Sequence, residues 1–342
     1  MTGQAIGQTI AALFQACGLG KVTAPILPVS GGFLHRMYRV DAGDKTYAVK
    51  HLNPEVIKRP DAMARYRQAE VLEEIIEKAG IPIVPALVIN GSRMQEQGGA
   101  YFYIFRWQEG QTTDWDHITA AQCRMAGNIQ GRIHAIEPRK MAHKEPEMSA
   151  VDWAGYIEEA RRQDNGIETL LRENEALLNE VQDALNRARL ALPDIECITD
   201  EDMDPKNVMW EEDRPVVIDL ECLDYGNPVS HVLQLSLQWA GITTCSFDPG
   251  KLRAFFEGYL EAYDNGFRDY ERVFGVAYTW IEWLEYNITR ALGNCQDERE
   301  RETGILEVKN TIDRIAYLRR MEDRIRQELT GVDSWNTNTG QK

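Results

Sequence analysis

The sequence predicts an α+β fold in which a small strand-rich part precedes a large, mostly helical part. Short apolar runs separated by glycine- and proline-containing turns dominate the chain up to Trp107. Apolar residues at helical spacing dominate after Gly110. The 342 residues are enough for two lobes. We therefore predict an N-terminal lobe at 1–107, a C-terminal lobe at 108–330 and a flexible polar tail at 331–342.

The N-terminal part alternates between helix, strand and turn signals. Helical spacing predicts a first helix over 5–17 and a second, main helix over about 60–78. A turn at 41–44 predicts a hairpin between two of the strands. The strands are expected at 23–29, 37–40, 46–52, 83–89 and 100–107. This order predicts one small antiparallel sheet that carries one main helix.

The C-terminal part is predicted to be helical except for the strand-and-loop stretch 197–224. The run 298–330 opens with many charges, but its apolar positions fit one buried face of a surface helix better than a coiled coil. The helices are expected at about 117–136, 151–164, 167–190, 229–241, 249–264, 268–292 and 298–330.

Composition restricts the class of protein. Hydrophobic residues make up 43% and charged residues 27% of the chain, as in soluble globular proteins. The net charge of −16 argues against nucleic acid and anionic membranes as partners. It suits a cationic substrate, although an acidic balance is more often a matter of solubility. The six cysteines lack Cys-x-x-Cys spacing, and the N-terminus lacks the basic start of a secretory signal, so a cytoplasmic protein is expected.

The stretch 197–221 carries a candidate set of catalytic and metal-binding residues. Asp202 is followed five residues later by Asn207, and an apolar run ends in Asp219. Phosphoryl transfer from a metal-bound nucleotide needs such a set, because one carboxylate meets the acceptor hydroxyl while an amide oxygen and another carboxylate hold Mg²⁺. A plain acidic turn is the alternative for the loop alone, since Asp, Asn and Pro favour turns.

Three upstream features fit the same chemistry. Lys50 ends an apolar strand, from which its ammonium can reach phosphate oxygens. Glu70 on the next helix could pair with Lys50 and orient it. Gly31 and Gly32 lie between two strands, where backbone N–H groups can face phosphates. Taken alone, each also fits an exposed lysine, a solvated glutamate or a hairpin turn; their order ahead of Asp202 gives them weight.

Together, these motifs resemble the signature of the aminoglycoside phosphotransferase and choline kinase-like superfamily, over roughly residues 20–295. The resemblance implies a protein-kinase-like two-lobed fold, ATP and Mg²⁺ as cofactors, and transfer of the γ-phosphate to a hydroxyl of a small molecule. The implied site residues are Asp202 for catalysis, Asn207 and Asp219 for the metal, Gly31, Gly32 and Lys50 for the nucleotide phosphates, Glu70 to position Lys50, and the backbone of Arg106, Trp107 and Gln108 for the purine.

One position departs from the family pattern. The family usually begins the loop with His-x-Asp, and Asp200 stands at the histidine position. Asp200, Glu201, Asp202 and Asp204 would repel one another unless cations or Lys206 compensate. A catalytically degenerate pseudokinase, acting as a nucleotide-binding or scaffold protein, is therefore the alternative.

The acceptor side rests on a late aromatic and acidic helix. Trp280, Trp283 and Glu282, together with Asp224, are candidate acceptor residues, because aromatic faces and carboxylates suit an ammonium-bearing molecule such as an aminoglycoside. Core tryptophans and solvated glutamates are the alternative for each residue. A sugar or an amino-acid-like metabolite is the alternative acceptor. A protein substrate is disfavoured, because the Ala-Pro-Glu sequence of protein kinases does not occur after Asp219. The sequence leaves the oligomeric state and the choice between ATP and GTP open.

Overall fold

A computed structural model of the chain describes residues 3–29, 35–163, 166–295 and 297–335. Its α-helices in chain order are α1 (Gly3–Ala16), α2 (Pro54–Ile57), α3 (Ala62–Lys78), α4 (Ala120–His134), α5 (Trp153–Gln163), α6 (Ile167–Arg189), α7 (Pro228–Trp239), α8 (Pro249–Ala262), α9 (Trp280–Ala291), α10 (Glu298–Leu329) and α11 (Val332–Trp335). Its strands are β1 (Leu27–Val29), β2 (Arg36–Ala42), β3 (Lys45–His51), β4 (Gln95–Gln97), β5 (Ala100–Arg106), β6 (Gln111–Thr112), β7 (Arg139–Lys140), β8 (Ile195–Asp200), β9 (Val208–Glu211), β10 (Arg214–Val217) and β11 (Leu223–Gly226).

Residues 1–113 and 206–224 form one compact unit. Its main sheet is antiparallel, with strand order β1-β2-β3-β5-β4, and a smaller sheet has the order β10-β9-β6. The hairpin between β2 and β3 turns at Gly43, whose φ of +62° lies in the left-handed region that a two-residue hairpin turn requires. The helix α1 contributes Phe14 to the core of this unit, in edge-to-face contact with Tyr47 of β3 at 5.3 Å between ring centroids.

Residues 114–205 and 225–342 form the second unit, which is mostly helical. Its helices α4 and α8 pack against each other and approach closely at small residues. A Cβ placed on Gly127 would overlap the carbonyl oxygen of Phe255, and one placed on Gly258 would overlap that of Arg124. Glycine at both positions therefore lets the two helix backbones meet. Strand β7 pairs with β8 in antiparallel register, with Arg139 opposite Glu196.

The predicted α+β class, with a small antiparallel sheet followed by a large helical part, is confirmed. The main predicted helices are present, with ends that differ by a few residues. The prediction for 268–292 was too long, because α9 begins only at Trp280 and a 3-10 helix, Phe274–Thr279, precedes it. The predicted strand 23–29 is reduced to β1.

The prediction of a strand at 83–89 was wrong, because this segment forms isolated β-bridges. Pro85 interrupts the run and has no N–H to donate to a ladder. The N–H of Val84 donates to β10 at 2.9 Å, and the N–H of Leu87 donates to β5 at 2.7 Å. The segment thus crosses from one sheet of the unit to the other.

The lobe boundary after Trp107 stays a prediction. Of the tail predicted to be flexible, 332–335 forms α11 and 336–342 lies outside the described residues. Gly31 and Gly32 also lie outside them. Among the described residues, none of the helices has both the length and the apolar composition of a membrane span.

Candidate active site

Lys50 lies in the middle of the main sheet of the first unit. It pairs with Met37 of β2 on one side and with Tyr103 of β5 on the other, and only 5% of its surface is exposed. Its ammonium contacts the carboxylates of Asp219 at 2.5 Å and of Glu221 at 2.7 Å. A buried cation is therefore held between two acidic side chains that follow β10 in the chain.

The charges of this cluster stabilise one another. Burial acts to lower the pKa of Lys50, but the carboxylates of Asp219 and Glu221 outweigh it and raise the pKa above its ordinary value. Burial likewise acts to raise the pKa of Glu221, whereas the hydrogen bond from His35 and the charge of Lys50 lower it to about 2. Lys50 and Glu221 are thus both charged at neutral pH.

His35 contacts Oε1 of Glu221, the carboxylate oxygen that Lys50 does not contact. Its Nδ1 accepts the backbone N–H of Asn53 at 3.0 Å, so the proton of the neutral ring lies on Nε2. That Nε2 contacts Glu221 Oε1 at 3.0 Å and lies 3.3 Å from the hydroxyl of Tyr66. Sequence reasoning missed His35, for which no local pattern gave a signal, and assigned no role to Glu221, although its place two residues after Asp219 could have suggested one.

Asn207 and Asp219 lie at the open end of the hairpin formed by β9 and β10. The N–H of Ile218 donates to the Asn207 carbonyl at 2.9 Å, which places the two candidate metal ligands on adjacent strand ends. Asp219 has a φ of +64° and a ψ of +58°, a left-handed conformation that is uncommon outside glycine. Residues in such sparsely populated backbone conformations persist only where the surrounding structure holds them, and they are frequent at functional sites.

The donor set at this hairpin fits a magnesium ion. Asn207 and Asp219 supply one amide and one carboxylate oxygen, and Mg²⁺ is usually held by one or two protein oxygens together with water and substrate phosphates. In the described residues no cluster of three or more His, Cys, Asp or Glu side chains is arranged for a metal.

The predicted pair between Lys50 and Glu70 is not formed in the structure. Glu70 Oε1 instead accepts the N–H of Met94 and the hydroxyl of Tyr103, each at 3.0 Å. The reason is competition, since the Lys50 ammonium already has two closer carboxylates. Glu70, Lys50, Tyr103 and Glu221 nevertheless line the same small cavity, so Glu70 remains at the site through Tyr103.

The segment predicted to contact the purine follows directly from β5. The N–H of Trp107 donates to the carbonyl of Thr46 at 3.1 Å, and the guanidinium of Arg39 lies over the Trp107 ring at 4.9 Å. The side-chain amide of Gln108 donates to the carbonyl of Glu109. A purine would therefore have to use backbone groups of this segment other than the Trp107 N–H.

Asp202 belongs to the second unit, on a tight turn after β8. The N–H of Met203 donates to the carbonyl of Asp200 at 3.3 Å, and the N–H of Asp202 donates to Asp200 Oδ1 at 3.2 Å. Asp200 is 2% exposed, whereas Asp202 is half-buried. Asp200 thus closes the turn on which the candidate catalytic carboxylate is carried.

Two of the candidate acceptor residues already have cationic partners within the second unit. Glu282 pairs with Arg189 at 2.7 Å, and the ring of Trp280 faces the guanidinium of Arg314 at 5.0 Å. Trp283 is 45% exposed, and Asp224 in the first unit is exposed as well. Their role towards an acceptor stays a prediction.

Comparison with known proteins identifies a family to which the sequence is similar. The model of the phosphotransferase enzyme family matches residues 25–273, a span that includes Lys50, Glu70, Asp202, Asn207 and Asp219. A search among curated proteins gives no significant match.

Several solved structures are similar to this chain over at least 90% of its length. A spectinomycin phosphotransferase with ADP and spectinomycin is 14% identical, with a TM-score of 0.63, covering 90% of this chain and 97% of that one. An amicoumacin kinase with AMP-PNP and Ca²⁺ is 12% identical, with a TM-score of 0.58 and coverage of 92% and 94%. A choline/ethanolamine kinase family protein from Mesorhizobium loti is 16% identical, with a TM-score of 0.58 and coverage of 96% and 99%.

At these identities the structural likeness shows the fold, and it confirms the predicted protein-kinase-like architecture. The family match, which covers well over half of the chain, confirms the superfamily and the class of enzyme inferred from the motifs. The chain belongs to the phosphotransferase enzyme family.

Proposed function

We propose that the protein is an ATP- and Mg²⁺-dependent kinase that transfers the γ-phosphate to a hydroxyl of a cationic small molecule. The observation that carries the proposal is the buried ammonium of Lys50, held by Asp219 and Glu221 in the unit whose hairpin also presents Asn207. A lysine buried with its charge intact against a carboxylate, in a unit that also presents an amide side chain at the same hairpin, is suited to bind phosphate oxygens and a divalent metal together.

Each residue has a distinct task in this proposal. Lys50 has three N–H donors, two of which engage the carboxylates, so one can bind a phosphate oxygen without breaking either contact. Asn207 and Asp219 would hold the metal, which neutralises charge on the phosphoryl oxygens when bound. Glu221 and His35 keep the ammonium from turning away.

Asp202 is the proposed catalytic carboxylate. It would accept a hydrogen bond from the acceptor hydroxyl and orient that oxygen towards the phosphorus, so that catalysis comes mainly from positioning. Its half-buried carboxylate is carried by a turn whose backbone is hydrogen-bonded to Asp200. No covalent phosphoenzyme is needed.

The acceptor class follows from charge. The chain carries a net charge of −16, and its candidate acceptor residues are aromatic and acidic. Both features favour an ammonium-bearing acceptor. The similar structures include proteins named for spectinomycin and for choline or ethanolamine, which agrees with an amine that carries a hydroxyl.

The test is release of ADP from ATP·Mg²⁺ across a panel of hydroxylated amines. The wild type should release ADP with at least one acceptor, and D202A should lose turnover by a factor of about 10² to 10⁴ while ATP still raises its melting temperature. D213A, which removes an exposed acid from the turn after β9, is the matched control and should behave like the wild type. Unchanged turnover in D202A would remove Asp202 from the mechanism.

The pseudokinase alternative rests on Asp200 at the usual histidine position. It predicts a different outcome of the same experiment, because a scaffold protein would be stabilised by the nucleotide but would release no ADP with any acceptor. Binding without release across amines, sugars and amino-acid-like acceptors would favour it over the kinase.

A further inference from the structure

Helix α7 holds the turn that carries Asp202 from both sides. The Nε2 of His231 lies 2.9 Å from the backbone carbonyl oxygen of Asp200. At the other end of the helix, the indole N–H of Trp239 donates to the carbonyl of Met203 at 3.1 Å. Two side chains of one helix therefore bind the carbonyls on either side of Asp202.

The hydrogen bond of His231 has one possible direction. A carbonyl oxygen only accepts, so Nε2 of His231 must carry a proton. Burial lowers the pKa of His231 to about 4, although its hydrogen bond to the Asp200 carbonyl acts in the other direction. The ring is therefore neutral at physiological pH, and its Nδ1 is an acceptor.

Two buried donors face the Nδ1 acceptor of His231. The amide of Gln130 lies 2.9 Å from it and Nε2 of His134 lies 3.0 Å from it. His134 is also neutral, because burial holds its pKa well below the ordinary value, so its Nδ1 accepts the hydroxyl of Tyr259 at 2.9 Å. Protons in this buried relay (Tyr259, His134, Gln130 and His231) thus all point towards Asp200.

The relay is anchored to rigid elements. Gln130 and His134 lie on α4 and Tyr259 lies on α8, the two helices that meet at Gly127 and Gly258. The start of α7 is tied to the start of β8, because the side-chain amide of its N-cap residue Asn227 donates to the carbonyls of Pro193 at 2.8 Å and of Ile195 at 3.3 Å.

We propose that His231 is a positioning residue for Asp202: its Nε2–H binds the Asp200 carbonyl and sets the backbone from which the catalytic carboxylate projects. The loop is thereby supported from α7, and Asp200 can occupy the position at which the family usually has histidine. This inference rests on the proposed function, since it assumes that Asp202 is catalytic.

The first measurement is the tautomer of the two histidines. Nitrogen-15 NMR of histidine-labelled protein, with resonances assigned through H231Q and H134Q, should show both rings as the neutral Nε2–H form from pH 8 to pH 6. An Nδ1–H form of His231, or a titration at the ordinary histidine pKa, would overturn the relay. This readout needs no acceptor.

The second measurement compares two amides at position 231. Glutamine can place its N–H where histidine has Nε2, whereas asparagine places it where histidine has Nδ1. H231Q should therefore retain most of the turnover. H231N should lose kcat by a factor of about 10² with the KM for ATP unchanged, as expected for a misplaced catalytic group. Hydrogen–deuterium exchange over 198–204 should be faster in H231N and near the wild-type rate in H231Q.

Controls separate this inference from the proposed function. H143Q alters an exposed histidine paired with Asp194 and should change neither turnover nor exchange in the loop. Equal kcat and equal exchange in H231N and H231Q would overturn the positioning role alone. A wild type that binds ATP but phosphorylates no acceptor would instead overturn the proposed function, and the positioning role with it.

A third variant covers a failure of H231N to fold. Y259F removes only the hydroxyl that donates to His134 Nδ1. The contact of His134 Nε2–H with His231 Nδ1 remains in this variant, so both rings should stay in the Nε2–H form. A His134 ring that takes the Nδ1–H form in Y259F would contradict the donation from His134 to His231.

Discussion

For a single residue such as Lys50, charge decides where the side chain lies. Its ammonium contacts Asp219 and Glu221, which are separated from it by 169 and 171 positions in the sequence. Leaving a buried charge without its partner is strongly destabilising, so each member of the cluster holds the others in place. Glu70 was expected as the partner, but its carboxylate is satisfied by Tyr103 and by a backbone N–H.

This assignment predicts that Glu221 matters more for stability than Glu70. E221Q removes a charge that faces both Lys50 and His35, and should lower the free energy of unfolding by about 2–4 kcal/mol. E70Q should cost about 1 kcal/mol or less, because the glutamine oxygen can still accept both of its hydrogen bonds. Urea unfolding of the two variants at pH 7 measures the difference. An equal or larger loss in E70Q would contradict the larger contribution of Glu221 to stability.

Among the elements, the packing of α4 against α8 determines whether the buried relay can form. The two helices meet where Gly127 and Gly258 leave space for the opposing backbone. His134 and Tyr259 are carried by these same helices, so their 2.9 Å contact depends on that approach. A small displacement of either helix would break a chain of hydrogen bonds in a place where water cannot replace them.

A single methyl group at this helix contact should therefore be costly. G127A places a Cβ against the carbonyl of Phe255 and should destabilise the protein by about 1–3 kcal/mol through overpacking. G7A in α1 is the matched control, because nothing lies within 4 Å of its added Cβ. Alanine should stabilise that helix by about 0.5–1 kcal/mol. Thermal unfolding compares the two, and a G127A protein as stable as G7A would contradict the close packing.

The relay also predicts a pH dependence of stability. The pKa of His231 is lowered from 6.5 to about 4 in the folded state, so the unfolded chain takes up the proton first as the pH falls. Its contribution is complete above pH 6.5 and is lost between pH 6.5 and about 4, amounting to about 3 kcal/mol. His134 acts in the same direction.

Other groups titrate in this window, so the comparison must be made with H231Q. Burial raises the pKa of Glu73 to about 7, and this carboxyl therefore adds stability as the pH falls through the same range. Glu73 is present in both proteins, and its contribution cancels in the difference. Urea unfolding from pH 7 to pH 4.5 should show a smaller loss for H231Q than for the wild type. Parallel losses would mean that His231 is protonated in the folded protein.

Over the whole molecule, local patterns explain what could be predicted from the sequence. Periodicity and turn chemistry within short segments determine the main helices and the hairpin between β2 and β3. The same local patterns put Lys50 on a strand and Asn207 and Asp219 at strand ends. The prediction of a strand at 83–89 was wrong because it relied on the apolar run alone, whereas Pro85 has no N–H for a strand ladder.

Partner choice could not be predicted, because it depends on which distant residues the fold brings together. Many glutamates in one helix look alike in a sequence, and only the structure shows that Glu70 binds Tyr103 while Glu221 binds Lys50. His231 likewise lies in an apolar helix with no motif to mark it. Its contact with the Asp200 carbonyl arises from the packing of α7 on the turn after β8.

The net charge of −16 predicts how an acceptor is attracted. For a cationic acceptor, KM should rise as salt is added from 0.05 to 0.3 M, because screening weakens the attraction at distances of about 10 Å. An uncharged analogue of the same acceptor is the control and should show little change. A KM for the cationic acceptor that does not rise with salt would contradict its electrostatic attraction to the acidic protein.

The phosphorylated product tests the central claim most directly. The wild type incubated with ATP·Mg²⁺ and an accepted hydroxylated amine should yield, by mass spectrometry, the amine carrying one phosphoryl group on oxygen and an equal amount of ADP. K50M and D219N should form little of this product. ADP without a phosphorylated acceptor, or equal product from K50M, would contradict the assignment of a small-molecule kinase built around Lys50 and Asp219.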